Sequence, residues 1–117
     1  MQHIIIRNVI NSDLAVSTES GMKVFELVDN YLQKKEKVEL DFAGITIMIT
    51  AFLNAAIGSL YSKKEYTPQF LNEYLKLENV EKDDRVLFRD VIKRAKEYFA
   101  DRETFERNSN DAIYGSD

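Results

Sequence analysis

Val38-Glu39-Leu40-Asp41-Phe42-Ala43-Gly44-Ile45-Thr46-Ile47-Met48-Ile49-Thr50-Ala51-Phe52-Leu53-Asn54 is the stretch that decides how this chain is read. From Val38 to Phe42 apolar and polar residues alternate, which is the period of a half-buried strand. Ala43-Gly44 ends that run. Ile45 to Ile49 is rich in β-branched residues and reads as further strand. At Thr50 the period changes. Phe52, Leu53, Ala56, Ile57 and Leu60 fall on one helical face. Small Ala55, Gly58 and Ser59 lie beside that face and let the helix approach a sheet closely. Thr50 is placed to cap it through its hydroxyl.

Towards the N-terminus, His3–Ile10 is short and β-branched and suits a strand, closed by turn-prone Asn11-Ser12-Asp13. Leu14-Ala15-Val16 suits a second short strand. Ser17 or Thr18 then caps a helix, with Glu19 near the positive end of its dipole. Val24, Phe25, Val28, Tyr31 and Leu32 give that helix its apolar face.

Towards the C-terminus, Ser62–Tyr66 reads as a solvated loop. Thr67-Pro68 opens a short helix with threonine as N-cap and proline at the first helical position. Leu75–Val80 alternates again as a last strand. Asp83 and Asp84 open a long final helix whose stripe is Leu87, Phe88, Val91, Ile92, Ala95, Tyr98 and Phe99. Tyr61, Tyr66, Phe70 and Tyr74 cluster around the loop after the central helix, as core or rim.

The order β-β-α-β-α-(short α)-β-α predicts one α/β domain, a mixed β-sheet flanked by α-helices. The domain is expected over residues 1–105, with 106–117 as a flexible tail. Its expected core is Ile4, Ile6, Phe25, Val28, Leu40, Phe42, Ile47, Phe52, Leu53, Ile57, Leu77, Leu87, Val91 and Ala95.

Composition narrows function by exclusion. In 117 residues there is no cysteine and one histidine, His3, which removes thiolate zinc sites, cysteine nucleophiles and two-histidine metal sites. The formal net charge is −4, and residues 1–60 and 61–117 each carry an acidic excess of two, so neither half is a basic arm for nucleic acid. The uncharged run Ala43–Gly58 is short of the roughly 20 residues a spanning helix needs. Ile4–Ile6 is too short for the apolar part of a secretion signal. The expectation is a cytoplasmic protein without cofactor, bound metal, membrane or nucleic-acid partner. The chain carries neither G-x-x-x-x-G-K-[ST] nor G-x-G-x-x-G, so the usual phosphate-cradling loops are not expected. Asp83, Asp84 and Asp90 read as dipole and surface charges rather than a metal site.

The Leu40-Asp41-Phe42-Ala43-Gly44 strand end followed by Thr50-Ala51-Phe52-Leu53-Asn54 resembles the centre of a STAS domain. More closely, it is similar to the bacterial STAS-like family of unknown function, related to the STAS domains of anti-sigma factor antagonists. Leu77-Glu78-Asn79-Val80-Glu81-Lys82-Asp83-Asp84-Arg85 resembles the last strand and helix opening of that family. The resemblance covers about residues 1–100. It implies a compact STAS-like sheet flanked by helices, and a regulatory interaction module rather than an enzyme. It also implies a protein partner, namely a histidine-kinase-like ATPase or a regulator under its control. In the anti-sigma factor antagonists a serine at the start of the central helix is phosphorylated, and the phosphate breaks the complex. Such a phosphate adds about −1.5 to −2 charges to a docking surface. Here that serine position falls on Ala51, the hydroxyl before it on Thr50, and the acidic position before them on Ile49. Ala51 cannot accept a phosphate; Thr50 could, although capping is its first role, so the switch does not carry over as it stands.

The residues singled out for partner binding or switching are Asp41, Thr50, Ala51 and Asn54. Each also has a structural reading. Thr50 serves as a cap, and Asp41 bonds backbone N–H groups at a strand end. Asn54 holds a loop or points at a partner. The leading hypothesis is a non-enzymatic module that docks its partner through the start of the central helix. The alternative is a small nucleotide-binding protein or enzyme using scattered carboxylates. Homo-oligomerisation is left open.

Overall fold

A computed structural model describes residues 1–97. Five strands are present among them: β1 Gln2–Ile5, β2 Leu14–Ala15, β3 Val38–Asp41, β4 Ile47–Met48 and β5 Leu75–Glu78. They form a three-stranded sheet in the order β1-β3-β5 and a two-stranded ladder of β2 with β4, and every described pairing is parallel. Parallel neighbours require crossover connections, which helices supply here. The helix Thr18–Gln33 lies between β2 and β3, and a central helix over 50–61 lies between β4 and β5. A helix Pro68–Tyr74 leads directly into β5, and a final helix occupies 85–97 after the tight turn Lys82–Asp84. The architecture is α/β.

The local signals act as their chemistry requires. Ser17 Oγ accepts from the Ser20 N–H at 3.0 Å and caps Thr18–Gln33. Thr67 Oγ1 accepts from the Phe70 N–H at 3.1 Å, with Pro68 at the first helical position. Gly21, Val24, Val28 and Leu32 form the buried stripe of Thr18–Gln33. At Gly21 that stripe lies directly against the central helix. Ile4, Val38 and Leu40 project inward from the three-stranded sheet, and Phe42 meets Phe88 of the final helix edge-on, with ring centroids 4.9 Å apart.

Asp29 fastens the loop after the central helix. It accepts from the Tyr66 hydroxyl at 2.6 Å and from Lys63 Nζ at 3.0 Å. Burial favours a raised Asp29 pKa, but the hydrogen bonds from Tyr66, Lys63 and Gln33 outweigh it and hold the carboxyl low. Burial and this carboxylate together push the Tyr66 hydroxyl well up. Tyr66, Phe70 and Tyr74 stack in sequence at 5.4 and 4.3 Å, as core and rim. Tyr61 is buried beside them in the core.

Three sequence expectations need correction. His3–Ile10 is not one strand: β1 stops at Ile5, and Ile6–Ile10 is a helical turn closed by Asn11 in the left-handed conformation, φ 53°. Ile6 and Ile10 are both buried, so the i, i+4 spacing of that turn is what the core uses. Ile47 is not core; it is 53% exposed, because Met48 takes the inward position of β4 and strand side chains alternate. Thr50 does not cap the central helix. Ile49 occupies the cap position in extended conformation without a side-chain bond, and Thr50 is the first helical residue. Of the remaining expected core, Phe25, Leu77, Leu87 and Ala95 are half-buried against it. The expected stripe positions Tyr98 and Phe99 and the tail 106–117 lie outside the described residues.

Candidate functional site

The start of the central helix is built onto the β2–β4 ladder. Ile49 N–H donates to the Ala15 carbonyl at 3.0 Å, extending the ladder one residue beyond Met48. The helix then opens with Thr50 half-buried and Ala51 exposed, and Phe52 and Leu53 turn into the core. On the approach, Thr46 Oγ1 donates to Asp13 Oδ2 at 3.1 Å, and Thr46 N–H donates to the Asp13 carbonyl at 2.8 Å. These bonds tie the two strand entries together.

This ladder has an outward face of unusual composition. Leu14 pairs with Ile47 and Ala15 with Met48. Ala15 and Met48 point inward and are buried. Leu14, Val16, Ile47 and Ile49, at the opposite parity, are 43%, 40%, 53% and 40% exposed. Four branched apolar side chains thus share one surface beside Thr50 and Ala51. The outward face of the three-stranded sheet is different: it carries His3, Glu39, Asp41, Lys76 and Glu78, with Ile5 the apolar exception. A solvated sheet face is ordinarily polar, and the β2–β4 face departs from that. Sequence reading missed this surface. The available signal was alternation about Ala15 and Met48, which fixes the parity of their neighbours.

Asp41 stands apart from the helix start. Its Oδ1 accepts from Ala43 N–H at 2.9 Å and from Asn79 Nδ2 at 2.8 Å, and its Oδ2 lies 3.1 Å from His3 Nε2. His3 Nδ1 is 2.7 Å from Glu39 Oε1. Asp41 therefore joins the ends of β3 and β5 and reaches across to β1. The hydrogen bonds from Asn79 and Ala43, with a smaller one from His3, hold its carboxyl below the usual carboxylate range. A carboxylate lowered in this way is a weak proton acceptor near neutral pH. This is the backbone-binding role its strand-end position suggests, enlarged by Asn79, whose φ of 57° aims its side chain back.

Asn54 lies one turn on from Thr50 and Ala51. It opens a segment, Asn54–Gly58, in which the central helix widens; the Ser59 N–H reaches back five residues to the Asn54 carbonyl. Asn54 is exposed on an open groove of about 420 Å³ with Gly58, Ser59, Arg94 and Ala95. Of the four candidates, then, Thr50, Ala51 and Asn54 share the first turn of the central helix, where Asn54 N–H bonds the Thr50 and Ala51 carbonyls, and Asp41 stands apart. Among the described residues no group of three or more histidine, aspartate and glutamate side chains is arranged to hold a metal ion. No described helix is long and apolar enough to cross a membrane.

No curated protein and no solved structure matches the chain. A family described as STAS-like domain of unknown function matches residues 20–85, from the first turns of Thr18–Gln33 to the opening of the final helix. That span contains β3, the helix start, Asp41, Asn54 and Asn79. With more than half of its length matched and an α/β architecture, the chain belongs to the STAS-like domain family of unknown function (DUF4325).

Proposed function

We propose that the protein is a non-enzymatic regulatory module that docks a protein partner through the start of its central helix. The observation that carries this reading is the outward face of Leu14, Val16, Ile47 and Ile49 beside Thr50 and Ala51. Isolated exposed apolar residues are ordinary, but a contiguous apolar surface is a mark of interaction sites. The serine and acidic positions of the anti-sigma factor antagonists are Ala51 and Ile49 here, both apolar, while the hydroxyl between them is kept at Thr50. Docking on this face is therefore dominated by hydrophobic burial rather than by a phosphate switch. The depressed carboxyls of Asp29 and Asp41, both committed to structural hydrogen bonds, support a role without proton-transfer chemistry. By family resemblance, the partner is a histidine-kinase-like ATPase or a regulator under its control, in the cytoplasm of a bacterial cell.

The test is affinity capture from the native cell with the unmodified protein and with Ile49→Lys, followed by identification of co-purifying proteins. A protein retained by the first and lost with the second supports the reading. Identical sets retained by both would place binding elsewhere.

A further inference from the structure

Because β1, β3 and β5 run parallel, the chain segments leaving their carboxyl ends meet at one end of the sheet. In open parallel sheets, ligands bind outside the carboxyl ends of the strands, where the loops part. Here an open crevice of about 580 Å³ lies between the exits of β3 and β5, lined by Ala43 and Gly44 on one side and by Glu78–Lys82 and Arg85 on the other. Arg7, just beyond β1, packs beside Gly44 of that lining. Arg7 Cδ and Nη1 lie 3.2 and 3.3 Å from where a Cβ on Gly44 would stand, and Gly44 has φ +84°. Glycine at position 44 thus allows both the left-handed turn and the seat of Arg7.

The side chains of Arg7, Lys82 and Arg85 make no hydrogen bond or ion pair among the described residues. Two acids line the crevice, Glu78 and Glu81; Glu78 is engaged by Lys76 at 3.0 Å, and the adjoining Asp41 is committed to Ala43 and Asn79. The frame is fixed in advance. Asp41 holds Ala43 and Asn79, and Phe42 N–H donates to the Glu78 carbonyl at 3.0 Å, so the two loops are joined where they leave the sheet. Cations on a preordered frame lose little freedom on binding an anion. Arginine forks match the geometry of phosphate and carboxylate oxygens.

We propose that this crevice binds a small ligand through an oxyanion, phosphate or carboxylate, with Arg7, Lys82 and Arg85 as its counter-charges. The site is separate from the docking face and stands or falls independently of it. Amide NMR shifts of the full chain, titrated with inorganic phosphate and in parallel with acetate at constant ionic strength, test it. Saturable shifts at Gly44, Asn79, Glu81 and Arg85 with either ion are expected, and the ion that saturates names the ligand class. Arg7→Gln and Arg85→Gln should each weaken binding about tenfold, the effect of losing a charge-assisted hydrogen bond. Lys23→Gln, exposed on Thr18–Gln33, should leave it unchanged. If Arg7→Gln fails to fold, exposed Arg85→Gln decides alone. Shifts that never saturate, that chloride reproduces, or that survive the arginine variants would overturn the proposal.

Discussion

The carbonyl oxygen of Phe52 lies 2.5 Å from where a Cβ on Gly21 would stand, so the helix Thr18–Gln33 and the central helix touch backbone to side at this point. The position of an Ala55 methyl, 2.7 Å from the same point, leaves no room to one side either. Gly21 is thereby the residue that sets how deeply the start of the central helix is seated.

Gly21→Ala should destabilise the protein. In an unconstrained helix the same change gains up to about 1 kcal/mol. Here overpacking should cost roughly 1–3 kcal/mol and reverse the sign. Urea unfolding measures it. A gain in stability would mean that the two helices do not approach this closely.

Leu53→Ala should cost roughly 2–5 kcal/mol, because the side chain is fully buried in the face that the central helix turns to the core. Calorimetry or urea unfolding checks this. A loss below about 0.5 kcal/mol would show that another face is buried.

Asp41→Ala should cost about 1–2 kcal/mol near neutral pH, through the lost bonds to Ala43 and Asn79. The pH dependence has a definite sign. The folded carboxyl is lowered, so its contribution is complete above the unfolded value of about 3.9 and is lost as pH falls through the lower folded value. The stability gap between wild type and Asp41→Ala should narrow below about pH 4. A gap that stays constant or widens in acid would contradict the strut.

Thr50→Asp and Ala51→Asp should both fold normally. Position 51 is exposed, and a carboxylate in the first helical turn is stabilised by about 0.3–1 kcal/mol. Thr50 makes no cap bond that the change would remove. Both variants should show reduced partner capture at an unchanged melting temperature, since each places charge beside an apolar face. Gross unfolding of Ala51→Asp would show that this position is core.

The elements legible in the sequence were those in which local chemistry and core agree. Ser17 and Thr67-Pro68 mark helix starts, and Val38–Asp41 alternates as β3 requires. Ile6–Ile10 was misread because β-branched composition favours a strand, whereas tertiary burial of Ile6 and Ile10 selects a helical turn. Asn11, a residue that tolerates the left-handed conformation, was the local sign of its end. Ile47 was misplaced because parity in a two-residue strand depends on its partner, and the pairing with Leu14 is not written in local sequence. The widening at Asn54–Gly58 had no signal beyond small residues. For the candidate site, Asp41's hydrogen-bonding role was legible from its place before a turn. The outward apolar face was not, because Leu14, Val16, Ile47 and Ile49 come from two distant segments.

Docking on the face of Leu14, Val16, Ile47 and Ile49, as proposed, is directly measurable. Its most direct test is the dissociation constant between the purified partner and the double variant Ile47→Lys/Ile49→Lys, compared with wild type. Both side chains are already substantially exposed, so thermal stability should be unchanged within about 0.5 kcal/mol. Loss of roughly 1 kcal/mol of burial from each, with lysine desolvation added, predicts affinity at least about tenfold weaker. Unchanged affinity in a normally folded variant would place partner binding elsewhere on the protein.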